Sequence, residues 1–131
     1  MAADLYILIK NDYNTACDIC QVENDYDVSL YFYANFCVAY TGLHHTALVS
    51  DYKGEFKLRE IARKVANAFG QNEVWYTSDM VMDQYDEGIS LDDFIAEEKR
   101  QGYYAEFIPE ELLKLPLRER PLYSVYHDKF E

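Results

Sequence analysis

The chain has 131 residues, half of them hydrophobic and 16% aromatic, with 24 acidic against 12 basic side chains and a formal net charge of −12. That length predicts one globular domain over residues 1–131 with a sizeable core, and the apolar content excludes global disorder. The charge argues against direct contact with nucleic acid or an anionic membrane, whose phosphates would repel it.

Met1-Ala2-Ala3-Asp4 offers no basic segment ahead of an apolar one, so no signal peptide is expected. Leu5–Ile9 reads as a buried strand, apolar, rich in β-formers and far too short to span a bilayer. Asn11-Asp12 closes it. Residues 15–22 carry Ala16, Ile19 and Cys20 on one stripe and predict a short helix, followed by a turn at Asn24–Asp27. Val28–Tyr33 and Phe36–Tyr40 are dense in β-formers, with Ala34-Asn35 as a hairpin turn between them. Gly42 closes this block, and Ala47–Val49 reads as one more short strand.

Leu58, Ile61, Ala62, Val65, Ala68 and Phe69 recur at helical spacing, with Arg59, Glu60, Arg63, Lys64 and Asn67 on the opposite face and Gly70 as the stop. Glu73–Thr77 has strand character. Ser90 then caps a helix whose first turn holds Asp92 and Asp93, favourable at the positive end of the helix dipole, and Gly102 ends it. Tyr103–Ile108 reads as a strand, Pro109–Leu115 as a short helix, and Leu122–Tyr126 as a closing edge strand. Together these predict an α+β fold, a mixed and mostly antiparallel sheet with two to four helices packed mainly on one face.

Four constellations bear on chemistry. Cys17-Asp18-Ile19-Cys20 has the bite of a zinc ligand pair, but a second pair is absent from the sequence. Three cysteines fit a reducing, cytosolic compartment better than a disulfide framework; Cys37 falls in an apolar strand and reads as core. His44 and His45 are expected in a loop and His127 near a frayed end, with no nucleophile motif beside any of them. The five glycines are too scattered for a phosphate-binding loop. Asp79, Asp83, Asp86 and Glu87 fail the spacing of a calcium loop. No cofactor and no metal are expected, and the chain reads as a non-enzyme.

The distribution of charge is the stronger signal. Residues 1–64 hold nine acids and six bases, residues 99–131 six of each, and residues 65–98 nine acids and no base. Those nine are Glu73, Asp79, Asp83, Asp86, Glu87, Asp92, Asp93, Glu97 and Glu98, interleaved with Trp75, Tyr76, Met80, Met82 and Tyr85. Carboxylates steer a basic surface in, and aromatics anchor it. The residues expected to meet a basic protein partner are therefore Trp75, Tyr76, Asp79, Asp83, Tyr85, Asp86, Glu87, Asp92, Asp93 and Glu97. Thirteen tyrosines, each a large ring with a polar tip, suit such a surface as well as half-buried strands.

In size, acidity and lack of catalytic motifs the chain resembles two groups of small proteins, bacterial immunity proteins and phage-encoded inhibitors of host defence nucleases. The likeness implies a non-enzymatic inhibitor in which carboxylates stand in for phosphates against a nucleic-acid-acting protein. A small metal-dependent enzyme using Cys17, Cys20 and a histidine is the alternative from another class, and a structural subunit of a larger assembly is a third. The purified protein is expected to carry no stoichiometric zinc, and replacing Cys17 and Cys20 together by Ser to leave function intact. About one zinc per chain by elemental analysis, with unfolding on chelation, would instead identify a structural metal.

Overall fold

Strands β1 (Asp4–Lys10) and β4 (Glu73–Ser78) lie at the centre of a six-stranded sheet in a computed structural model. The structure describes residues 3–11, 19–44, 57–106, 115–116, 119 and 123–130. Around the two central strands run β2 (Ser29–Phe32), β3 (Phe36–His44), β5 (Tyr104–Glu106) and β6 (Val125–Lys129), in the order β2-β3-β1-β4-β6-β5. Every neighbouring pair is antiparallel except β5 and β6, which are parallel. The fold is α+β with a mixed, mostly antiparallel sheet, as expected.

The helices depart from the expectation of one covered face. Helices α1 (Ile19–Tyr26) and α2 (Lys57–Ala68) cover one side, where Val22, Ala62, Val65, Ala66 and Phe69 pack on Leu5, Ile7, Cys37, Val74, Tyr76 and Tyr126. Helices α3 (Asp79–Met82) and α4 (Leu91–Gln101) cover the other, where Met82, Leu91, Phe94 and Ile95 meet Leu8, Phe36, Val38, Trp75 and Val125. The cause is legible in β1. Leu5, Ile7, Leu8 and Ile9 are all fully buried, so odd and even positions alike need a cover.

Local chemistry sets the boundaries. Asn24–Tyr26 complete α1 rather than turning. The chain reverses at Asp27, in the left-handed region at φ 53°, and the Val28 N–H donates to the Glu23 carbonyl. Glu23 Oε2 also accepts the Leu30 N–H at 2.9 Å, covering an amide on the edge strand. The β2–β3 hairpin turns at Ala34-Asn35 as expected, with the Tyr33 N–H on the Phe36 carbonyl. Gly42 does not end β3; at φ 85° it sits in a bulge, and the strand continues until His44 pairs with Asp4. Ser90 caps α4 by accepting the Asp93 N–H at 3.1 Å, and Gly102 at φ 81° closes it.

Strand β6 was expected on the edge but lies between β4 and β5, so β5 takes the edge. The expected elements at 47–49 and 109–114, the helical residues 15–18, and strand residues 107 and 108 lie outside the described residues. Among the described residues no helix is long and apolar enough to cross a membrane.

One polar lock joins α2 to the sheet. Arg59, expected on the outer face of α2, turns toward β6, where Nε lies 3.0 and 3.2 Å from the two carboxylate oxygens of Asp128. Asp128 is only 1% exposed, and its Oδ2 also accepts the Tyr76 hydroxyl at 2.8 Å. Burial, then the charge and hydrogen bond of Asp128, holds the Tyr76 phenol well above its ordinary pKa. The helix phase makes a prediction. Val65 is fully buried and Arg63 exposed. Val65→Asp should cost more than about 3 kcal/mol in urea or thermal unfolding, an unpaired charge in the core. Arg63→Asp should stay within about 0.5 kcal/mol of the parent; the reverse order would place α2 in the wrong phase.

Candidate partner-binding surface

The expected residues divide by position on their elements. Trp75 and Tyr76 stand side by side on β4 and face opposite covers. Both are buried, so the expectation that they anchor a partner is corrected: a central strand with two covered faces presents no ring to solvent. Trp75 instead donates its indole N–H to the Tyr104 hydroxyl at 3.2 Å and stacks on His127 at 5.0 Å.

Asp79 opens α3 and is half-buried. Its Oδ1 accepts the Asp4 N–H at 2.9 Å and so ties the helix to the start of β1. Glu97 is held by Arg100, whose Nε lies 2.9 Å from Oε2, and by the Gln101 amide at 2.8 Å. The Arg100 hydrogen bond, then that of Gln101, lowers the Glu97 carboxyl to about 2. Its charge is already answered.

The remaining carboxylates are free of such ties. Asp83, Asp86, Glu87, Asp92 and Asp93 are all exposed, on the loop after α3 and the first turn of α4. No ion pair joins them to a cation among the described residues. Met80 stands beside them 62% exposed. Tyr85 is half-buried, its ring edge-on to Phe94 at 4.9 Å and its hydroxyl donating to Glu98 Oε1 at 3.1 Å. Burial first, then the Glu98 hydrogen bond, raises the Tyr85 phenol to about 12.

Glu98 belongs to the acidic segment yet is only 3% exposed, and its Oε2 has no hydrogen-bond partner among the described residues. Positions 91, 94, 95 and 98 make one helical stripe, a spacing that marks Glu98 as inward-facing. Burial raises its carboxyl above the ordinary carboxylate range, against the lowering effect of the Tyr85 hydrogen bond.

A tyrosine array absent from the expected set adjoins this surface. The Asn35 side chain, at the tip of the β2–β3 hairpin, accepts the Leu91 N–H at 2.9 Å and fixes the hairpin to the start of α4. Tyr6, Tyr31, Tyr33 and Glu87 thereby line one shallow groove. The thirteen tyrosines were the only signal for it, because sequence proximity links Glu87 to none of these rings.

The histidine readings also change. His127 lies in β6 rather than a frayed end, with Nδ1 2.7 Å from Glu106 Oε2 and Nε2 3.6 Å from Glu73 Oε2. His44 is the last residue of β3 rather than part of a loop, while His45 and Cys17 lie outside the described residues. Cys37 is buried in the core, as expected. Among the described residues no three His, Cys, Asp or Glu side chains are grouped to hold a metal ion.

Comparison of the chain with protein-family models, with curated proteins and with solved structures finds no match.

The buried carboxyl sets a pH dependence. The folded state holds the Glu98 proton more tightly than the unfolded chain. The stability that Glu98 contributes is therefore full below its ordinary value of 4.5 and declines as pH rises through the raised value. Glu98→Gln removes that decline and keeps an acceptor for Tyr85. The melting temperature of the variant minus that of the parent should grow between pH 4 and pH 8; a constant or shrinking difference would show Glu98 ionising as an exposed carboxylate does.

Proposed function

We propose that this protein is a small non-enzymatic inhibitor that binds and blocks a basic, nucleic-acid-acting protein, of the kind met in toxin immunity or in phage defence against host nucleases. One observation carries the reading. Between residues 83 and 93 five exposed carboxylates stand together without a cationic partner among the described residues, next to partly exposed aromatic rings.

Such a surface draws little from the fold itself, only the helix-dipole attraction at Asp92 and Asp93 in the first turn of α4. It gains when a partner supplies lysine and arginine at the same spacing as phosphates would have demanded. The mechanism is steric and electrostatic. Asp83, Asp86, Glu87, Asp92 and Asp93 occupy the partner's cationic site in place of nucleic acid, and Tyr85 and Met80 contribute desolvated contact. No covalent step is required. A cytoplasmic setting suits an odd number of cysteines, three in the chain, and an intracellular partner of this kind.

Affinity capture from the source cell, with and without nuclease treatment, should recover a basic protein in both conditions; recovery that nuclease abolishes would point to nucleic acid as the true ligand. With the partner in hand, association should slow about tenfold or more as salt rises, since screening shortens the reach of the field to about 8–10 Å at physiological ionic strength. Changing Asp83, Asp86, Asp92 and Asp93 together to Lys should slow association as strongly, with a stability loss of about 0.3–1 kcal/mol for each of the two α4 positions. Binding indifferent to both salt and the reversal would reduce the acidic segment to a solubility feature.

A further inference from the structure

The groove beside the acidic loop combines two kinds of chemistry. Its volume is about 420 Å³, and Tyr6, Tyr31, Tyr33 and Glu87 line it together with Leu30 and Phe32. Tyr31 projects from the edge strand 51% exposed. The other two rings are held by further rings: Tyr33 stacks on Phe36 at 4.9 Å and 7°, and Tyr6 meets Tyr40 edge-on at 6.1 Å. Little side-chain freedom is left for a ligand to freeze out.

Carboxylates lie near enough to these rings to act on them, Glu87 in the groove wall itself. After burial, Glu87 and then Asp83 raise the Tyr33 phenol pKa, and Asp79 and Asp83 act likewise on Tyr6, so the field at the groove is negative. An anionic ligand is repelled there. A neutral apolar one would bury the Glu87 carboxylate without a partner. A cation gains twice, from the faces of the rings and from the carboxylate. Among cations a guanidinium fits best, being planar, weakly hydrated, able to stack on a phenol ring and able to fork onto a carboxylate.

We propose that the groove formed by Tyr6, Tyr31, Tyr33 and Glu87 is an aromatic cage that receives an arginine side chain of the basic partner. The proposal rests on the inhibitor reading and assigns it a specific recognition element, distinct from the long-range steering by the loop and α4 carboxylates. Arginine-bearing partners are selected over lysine-bearing ones of equal charge.

The test uses calorimetric titration at low salt with three end-blocked peptides that alternate glycine with arginine, with lysine, or with uncharged citrulline. The parent protein should bind the arginine peptide more tightly than the lysine peptide, and the citrulline peptide not at all. Tyr31→Ala should weaken arginine-peptide binding about five- to thirtyfold, the range expected for loss of one ring face around a cation. Tyr31→Phe keeps the ring and should bind as the parent does. Glu87→Gln should weaken binding and flatten its salt dependence. Changing Asp92 and Asp93 together to Asn should weaken the arginine and lysine peptides alike. Parent-like binding by both Tyr31→Ala and Glu87→Gln overturns the cage, as does an arginine peptide bound no better than the lysine one. Either result leaves the inhibitor reading standing if salt and the four-fold charge reversal still slow association with the captured partner; loss of that salt and charge dependence defeats the inhibitor reading itself.

Discussion

Two-sided burial of β1 and β4 is the constraint on which the other features depend. A strand whose odd and even side chains are both apolar cannot face water on either side, so each face of the sheet needs its own helical layer. The segment after β4 must supply the second layer, and it does so within a stretch that holds nine acids and no base. Met82, Leu91, Phe94 and Ile95 meet the core demand. The carboxylates between them have one place left to go, which is outward. The acidic surface is thus the outer side of a structurally required cover, rather than an appendage to the fold.

Where an acid fails to reach solvent, the fold answers it in one of two ways. Asp128 is buried, and Arg59 and Tyr76 supply three close contacts that keep its charge tolerable, in effect riveting α2 to β4 and β6. Glu98 is buried with a hydroxyl on one oxygen and no partner for the other among the described residues, and burial raises its proton affinity despite that hydroxyl. The exposed acids of the loop and of the first turn of α4 receive neither treatment. Solvent screens them at little cost, and their charge stays available for recognition. That contrast separates the carboxylates tied to other side chains from those that no side chain among the described residues holds.

Much of this was legible beforehand, for local physical reasons. β1, the β2–β3 hairpin, α2 and α4 follow from apolar periodicity, turn residues and a serine cap, all of which act within a few residues of themselves. What could not be read depends on pairing between distant segments. The depth of Trp75 and Tyr76 follows from β6 pairing along β4, fifty residues later in the chain, and a six-residue strand with aromatic character looks the same at an edge as at the centre. Arg59 sat on the polar face of its helix, and only the approach of Asp128 turns it inward. The inward position of Glu98 was readable from the 91, 94, 95, 98 stripe, but a glutamate in an acidic run invites the opposite assignment.

The tyrosines show why composition can signal a surface without locating it. A phenol ring is apolar enough to cover a half-buried strand and polar enough to remain at its rim, so one residue type serves the core at Tyr76 and Tyr126 and the surface at Tyr31. Position in the sheet decides between these roles. At Tyr76 and Tyr126 the ring is enclosed and its hydroxyl has an internal partner, whereas Tyr31 on the edge hairpin stays open. The hairpin is in turn fastened by Asn35 to the start of α4, which brings open rings next to unanswered carboxylates. A rigid ring costs little entropy to engage and a carboxylate reaches further than any contact, so the pairing combines fast approach with a fixed point of arrival. Recognition chemistry here arises where the edge of the sheet meets its second cover.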